Sequence, residues 1–240
     1  MKNSGRYILF AGKAAGLLLA SVLTGTLALI LVYMLPVEKM KAHVTSSIDI
    51  FYTESVYPQQ VQGYKTTQLD NETDAIMLLG AIYEEEGLEA WKAAMSVPHV
   101  TMQGEDSLCM VLKNYLWDRM EPDGRADYDR YWHGYMVFLK PLLLLMDYAD
   151  IRMLNMIIQL TLLLTLIMSM VRKKMEKYLP ALLMFLVVLN PVATAMSLQF
   201  SAIYYIILIS LLLLLKYQEN MQGEIYLFFM GIGICVAYFD

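Results

Sequence analysis

Residues 14–35 read AAGLLLASVLTGTLALILVYML and carry no charge. As a helix rising about 1.5 Å per residue, this stretch covers a hydrocarbon core roughly 30 Å thick. Three further charge-free runs follow: residues 153–171 (MLNMIIQLTLLLTLIMSMV), 178–215 and 225–239. One span needs roughly 17–25 apolar residues. The second run supplies one, the third is long enough for two folded at about residues 196–201, and the fourth is short. The expected fold is all-α: a polytopic membrane protein of about five transmembrane helices with a helical extracytoplasmic segment after the first. A cleaved signal peptide is the alternative for the first run. Its apolar stretch exceeds the roughly 7–15 residues of a signal core, and no A-x-A site closes it, so it reads as an uncleaved anchor.

Composition agrees. Of the 240 residues, 58% are apolar and 17% are charged, where soluble domains hold about 25% charged residues. The net charge of −5 offers no basic surface for nucleic acid. The 2 cysteines make no disulfide framework. No G-x-x-x-x-G-K-[ST], G-x-G-x-x-G or G-x-S-x-G motif occurs. His43, His99 and His133 are too far apart to suggest a metal site.

Lys2, Arg6 and Lys13 precede the first run, while Arg172, Lys173, Lys174 and Lys177 follow the second. Positive charge near spans stays inside, so the N-terminus and the loop after residue 171 are expected to be cytoplasmic, in a multi-pass protein of the cell membrane. The chain then divides into residues 1–35, an extracytoplasmic segment 36–152, and a bundle 153–240. Residues 134–149 (GYMVFLKPLLLLMDYA) are apolar but short and are broken by Lys140-Pro141. They are expected to lie at the outer interface among Tyr128, Tyr131, Trp132 and Tyr135.

The outer segment concentrates the polar chemistry. Residues 36–150 hold 19 of the 23 acidic residues and 9 of the 18 basic ones. Asp70 or Thr73 caps an expected helix running to about Glu86. Short helices are expected around Leu88, Trp91 and Met95, and after Asp106 or Ser107, with a turn at residues 121–124. Residues 44–56 partly alternate and predict a strand. The sharpest constellation is Asp70, Glu72 and Asp74. Acids at a helix start satisfy N–H groups; the functional alternative is a base or metal-binding carboxylate facing the outer leaflet.

Arg130-Tyr131-Trp132-His133-Gly134-Tyr135, then Asp150-Ile151-Arg152-Met153-Leu154-Asn155, occupy the places of an aromatic helix and the entry to the next span. With the acidic helix before them, this layout resembles the N-terminal part of GT-C glycosyltransferases of the protein mannosyltransferase and aminoarabinose transferase group, over about residues 5–215. The resemblance implies transfer of a sugar from a polyprenyl-phosphate donor to an extracytoplasmic acceptor. Asp70 or Asp74 would be the catalytic carboxylate, and Arg130, Lys140 and Arg152 would hold the donor phosphate; it assigns no metal ligand or other cofactor. Members are longer, so it also implies a truncated frame, with a missing C-terminal portion or a partner subunit completing the donor site. The alternative from a different class is a non-catalytic scaffold, assembly factor or transporter subunit. The four apolar runs hold no ionisable side chain except tyrosines and Cys235, which counts against an ion-coupled carrier.

Overall fold

The computed structural model describes residues 2–239 apart from 118 and 222, with the side chains of 2–4 and 6 left aside. Lys2, Arg6 and Asp240, which entered the sequence reading, therefore lie outside the described side chains. The helices are α1 (Lys2–Tyr33), α2 (Glu38–Ser46), α3 (Asp49–Thr53), α4 (Asn71–Ala81), α5 (Ala90–Ser96), α6 (Leu108–Leu116), α7 (Met136–Leu143), α8 (Tyr148–Arg172), α9 (Leu179–Val188), α10 (Pro191–Met196), α11 (Leu198–Tyr217) and α12 (Ile225–Phe239). Two short strands, β1 (Pro98–Thr101) and β2 (Gly124–Asp127), pair antiparallel with His99 opposite Ala126.

Among the described residues three helices are long and apolar enough to cross a membrane: α1 over Tyr7–Tyr33, α8 and α11. Their surfaces are apolar and open, as at Leu23 (70% exposed) and Leu160 (55%), which fits a lipid-facing side rather than a water-facing one. The expected pair of spans in residues 178–215 takes a different form. Only α11 has span length. The preceding stretch breaks at Asn190 into α9, of 10 residues, and α10, of 6. Asn190 adopts a left-handed conformation (φ 51°) and its side chain accepts from the Ala193 N–H, capping α10. Asn tolerates that region better than most residues, and Pro191 suits the first position of the new helix.

The main core lies in the segment between α1 and α8. It takes only the ends of the long helices: Leu29 and Val32 of α1, Tyr148 and Ile151 of α8, and Leu198 of α11. A smaller cluster of Leu166, Met170, Leu186, Tyr204 and Leu208 joins α8, α9 and α11.

The strand expected over 44–56 is instead the end of α2, and α3. Met40, Val44, Ile48 and Phe51 are all buried. That spacing of three to four is helical and overrides the partial alternation. The helix expected to reach Glu86 stops at Ala81, whose carbonyl accepts from Lys140 Nζ at 2.6 Å. Inside 134–149, α7 is 8 residues long, about 12 Å, and too short to cross. It buries Met136, Leu139, Lys140 and Leu143 against α1, α2 and α4.

The long helices have clear relative directions. Asn155 and Ser201 meet near the start of α8 and α11, so these run the same way. Phe10 meets Tyr226 at 4.4 Å, and the Tyr238 hydroxyl donates to the Gly25 carbonyl, so α1 and α12 also run parallel.

Candidate functional site

The three acids at the start of α4 each close a different helix. Asp70 is the N-cap of α4 itself, accepting from the Thr73 N–H at 2.9 Å and the Thr73 hydroxyl at 2.8 Å. Glu72 accepts from the Leu108 N–H at 2.6 Å and the Ser107 hydroxyl at 2.9 Å, at the start of α6. Asp74 accepts from the N–H groups of Leu198 (2.9 Å) and Gln199 (3.3 Å), and from the Ser197 hydroxyl, at the start of α11. It also accepts from the Tyr148 hydroxyl. Consecutive helical residues are about 100° apart, so Glu72 and Asp74 point to opposite sides of α4. One turn thereby pins two neighbouring helices through their N-terminal dipoles.

Asp74 is fully buried. Burial raises its pKa from 3.8 to about 6, against the hydrogen bonds from Tyr148 and Leu198 and the charge of Arg152. Arg152 belongs to the same network. Its Nη1 donates to both oxygens of Glu54 at 2.9 Å, its Nη2 donates to Asn71 Oδ1 at 2.8 Å, and its guanidinium lies 4.6 Å from the Tyr148 ring centre. Of the expected site residues, Asp74 and Arg152 are therefore brought together, through Tyr148. Arg152 Nε is buried without a hydrogen-bond partner among the described residues.

The other cations lie apart. Lys140 is buried, donating to the Ala81 carbonyl beneath the Tyr33 ring at 4.7 Å. Desolvation lowers its pKa to about 8, with Glu84 opposing the shift. Arg130 is exposed and sits 5.3 Å from the centre of the Tyr131 ring.

Beside the Asp74 network is a small cavity of about 140 Å³, lined by Thr73, Met77, Tyr128, Tyr131, His133, Tyr135, Leu198, Gln199 and Phe239. Met77, Tyr135, Leu198 and Phe239 also line a second, larger cleft of about 920 Å³ between α1, α7, α8, α11 and α12. That cleft is apolar along Leu142, Ile158, Ile206, Leu213, Phe228 and Ile232. The two spaces thus share a wall: a hydroxyl- and ring-lined pocket above, an apolar slot among membrane-length helices below. Asp70 holds the hydroxyl of pocket-lining Thr73, and Asp74 holds the N–H of pocket-lining Gln199.

Sequence reading missed Glu54, Asn71, Tyr148 and Ser197, the partners that hold Arg152 and Asp74. Ser197 before the LQF start of α11 is the one with a local signal, since Ser is a favoured N-cap. The others are 74 to 98 positions from the residues they hold. Among the described residues no three His, Cys, Asp or Glu side chains cluster to hold a metal ion.

No protein-family model matches this chain, and no curated protein or solved structure matches it either.

Proposed function

We propose that the chain is the membrane part of an enzyme acting on a lipid-linked sugar, of the GT-C kind its layout resembles. The observation that supports this reading is the shared wall between the outer pocket and the apolar cleft. An amphiphile needs such a pair of spaces. Its polyprenyl chain lies in the cleft, and its phosphosugar sits among Tyr128, Tyr131, His133 and Gln199. Aromatic faces with neutral hydrogen-bonding groups suit a sugar ring, and Arg130, next to Tyr131, is the cation free to approach the phosphate. Arg152 and Lys140 are committed inside the protein, so they support the site without reaching the donor. Asp70 is the carboxylate better placed as general base, being half-buried beside Thr73; Asp74 holds the wall in place.

In this reading the N-terminus is cytoplasmic in the cell membrane and residues 36–152 lie outside. α8 descends, α9 and α10 together return, α11 descends, and α12 rises parallel to α1, giving five crossings. The parallel pairs α1 with α12 and α8 with α11 support that order.

A non-catalytic role is favoured by one observation: each of Asp70, Glu72 and Asp74 is a helix cap. A photoreactive polyprenyl-phosphate probe in native membranes separates the two readings. Cross-linking to α11 or α12 that is lost on replacing Tyr131 and His133 by alanine supports the donor site. Labelling that is absent, or that ignores those replacements, leaves the scaffold reading ahead.

A further inference from the structure

Residues 56–70 form a hairpin whose depth is readable from its contacts. Its root lies beside Arg152: the Asn71 N–H donates to the Val56 carbonyl at 3.1 Å, and the Asn71 side chain holds Arg152. Arg152 immediately precedes the charge-free run of α8. The arms are joined by Leu69 N–H to the Pro58 carbonyl (2.8 Å) and Gln60 N–H to the Thr67 carbonyl (3.0 Å). The arm from Val56 to Val61 bends at both ends, with Gln59 bridged to Gln68 across the hairpin. At the tip, Asn190 Nδ2 donates to the Thr66 carbonyl.

Asn190 can be placed independently. Gln159 Nε2 donates to the Thr194 carbonyl, and Gln159 lies six positions into the apolar run of α8, about 9 Å below its start. Asn190 is one turn of α10 deeper, about 15 Å below that start. Counted from the other end, the 10 residues of α9 rise about 15 Å from Leu179. Both counts put Asn190, and Thr66 bonded to it, near the middle of a core roughly 30 Å thick.

The tip exposes Gln60, Gln62, Lys65 and Thr66 together with Val61 and Tyr64, with Gly63 at a left-handed turn. Irregular backbone at that depth does not face lipid, because acyl chains cannot satisfy its N–H and C=O groups; it lines water or is covered by protein. We propose that residues 56–70 are a re-entrant loop forming one wall of a water-filled vestibule, open to the outer side and reaching Asn190. A hydrophilic solute from outside thereby gains access to half the depth of the bilayer, with Lys65 near the tip of the loop and Asp70 at its root.

The test uses the full chain in intact cells, with Cys109 and Cys235 replaced by serine. Single cysteines at Thr66 and Val61 are treated with a membrane-impermeant maleimide, beside the exposed Glu86→Cys and the span-exposed Ile157→Cys. Thiolate forms in water and not in lipid, so both tip positions should react within about tenfold of Glu86→Cys and more than about 100-fold faster than Ile157→Cys. The pair Thr66→Cys with Asn190→Cys should form a disulfide under mild oxidation. Reaction without the disulfide makes the hairpin an ordinary outer loop, and the disulfide without reaction makes the tip protein-covered. Either result overturns the proposal, as does the absence of both.

Discussion

Replacing Asp74 by asparagine isolates the energetics of the buried carboxylate. Its pKa rises from 3.8 to about 6 in the folded chain, with burial as the main cause. Between those values the folded protein keeps the proton while the unfolded chain has lost it. The contribution of Asp74 to stability is therefore most favourable below about pH 4 and declines as the pH rises toward and through 6, since at this group the native state binds more protons than the unfolded state. A shift of about two units corresponds to about 3 kcal/mol. Asparagine keeps the shape and an oxygen for the Leu198 and Gln199 N–H groups but does not titrate. At low pH the variant should lie close to wild type, whose protonated carboxyl, like the amide, keeps one carbonyl oxygen as acceptor. At neutral pH the variant should be the more stable by up to about 3 kcal/mol, or about 6–12 °C for a chain of this size. The 3 tryptophans give the fluorescence signal for thermal unfolding in detergent, and comparing variant with wild type cancels the other titrating groups. A difference that stays flat from acid to neutral pH, or grows in favour of wild type, would refute the argument that burial dominates.

Asp70→Asn should leave unfolding almost unchanged, because Asn caps as well as Asp. Sugar transfer from a polyprenyl-phosphate donor should drop about 10²–10⁴-fold if the residue is the general base; full transfer removes that role. Glu72→Ala should cost about 0.5–2 kcal/mol through loss of the α6 cap, measured by the same unfolding signal. Gly134→Ala should loosen the docking of α12, since an added Cβ would sit 2.5 Å from the Tyr238 carbonyl; a cost of about 1–3 kcal/mol is expected. Gly25→Ala should cost less, because it meets only the edge of the Tyr238 ring. A cysteine at Lys174 should resist impermeant reagents applied from outside; labelling there would remove the five-crossing arrangement.

The amino-acid sequence by itself determined the helical, membrane-type character of the chain. Charge-free runs of span length have few physical alternatives, and α1, α8 and α11 lie within them. It also located local signals that need no partner: the Asp70 cap and the break between α4 and α5. Tertiary structure decided what short-range pattern leaves open. Residues 44–56 carry weak alternation, and packing of Val44, Ile48 and Phe51 into the main core goes with the helical turns of α2 and α3 there. The run 178–215 is charge-free throughout, so hydropathy alone reads it as two full spans; Asn190, ahead of Pro191, ends α9 there while its side chain holds both Ala193 and Thr66. The acids of α4 show the same division most clearly. Their spacing announces helix capping, but which helix each one caps depends on what folds against opposite sides of that turn. Glu72 reaches α6 and Asp74 reaches α11, 124 positions away at Leu198, because a buried carboxylate and an uncapped helix end are each costly alone and satisfy one another when packing brings them together.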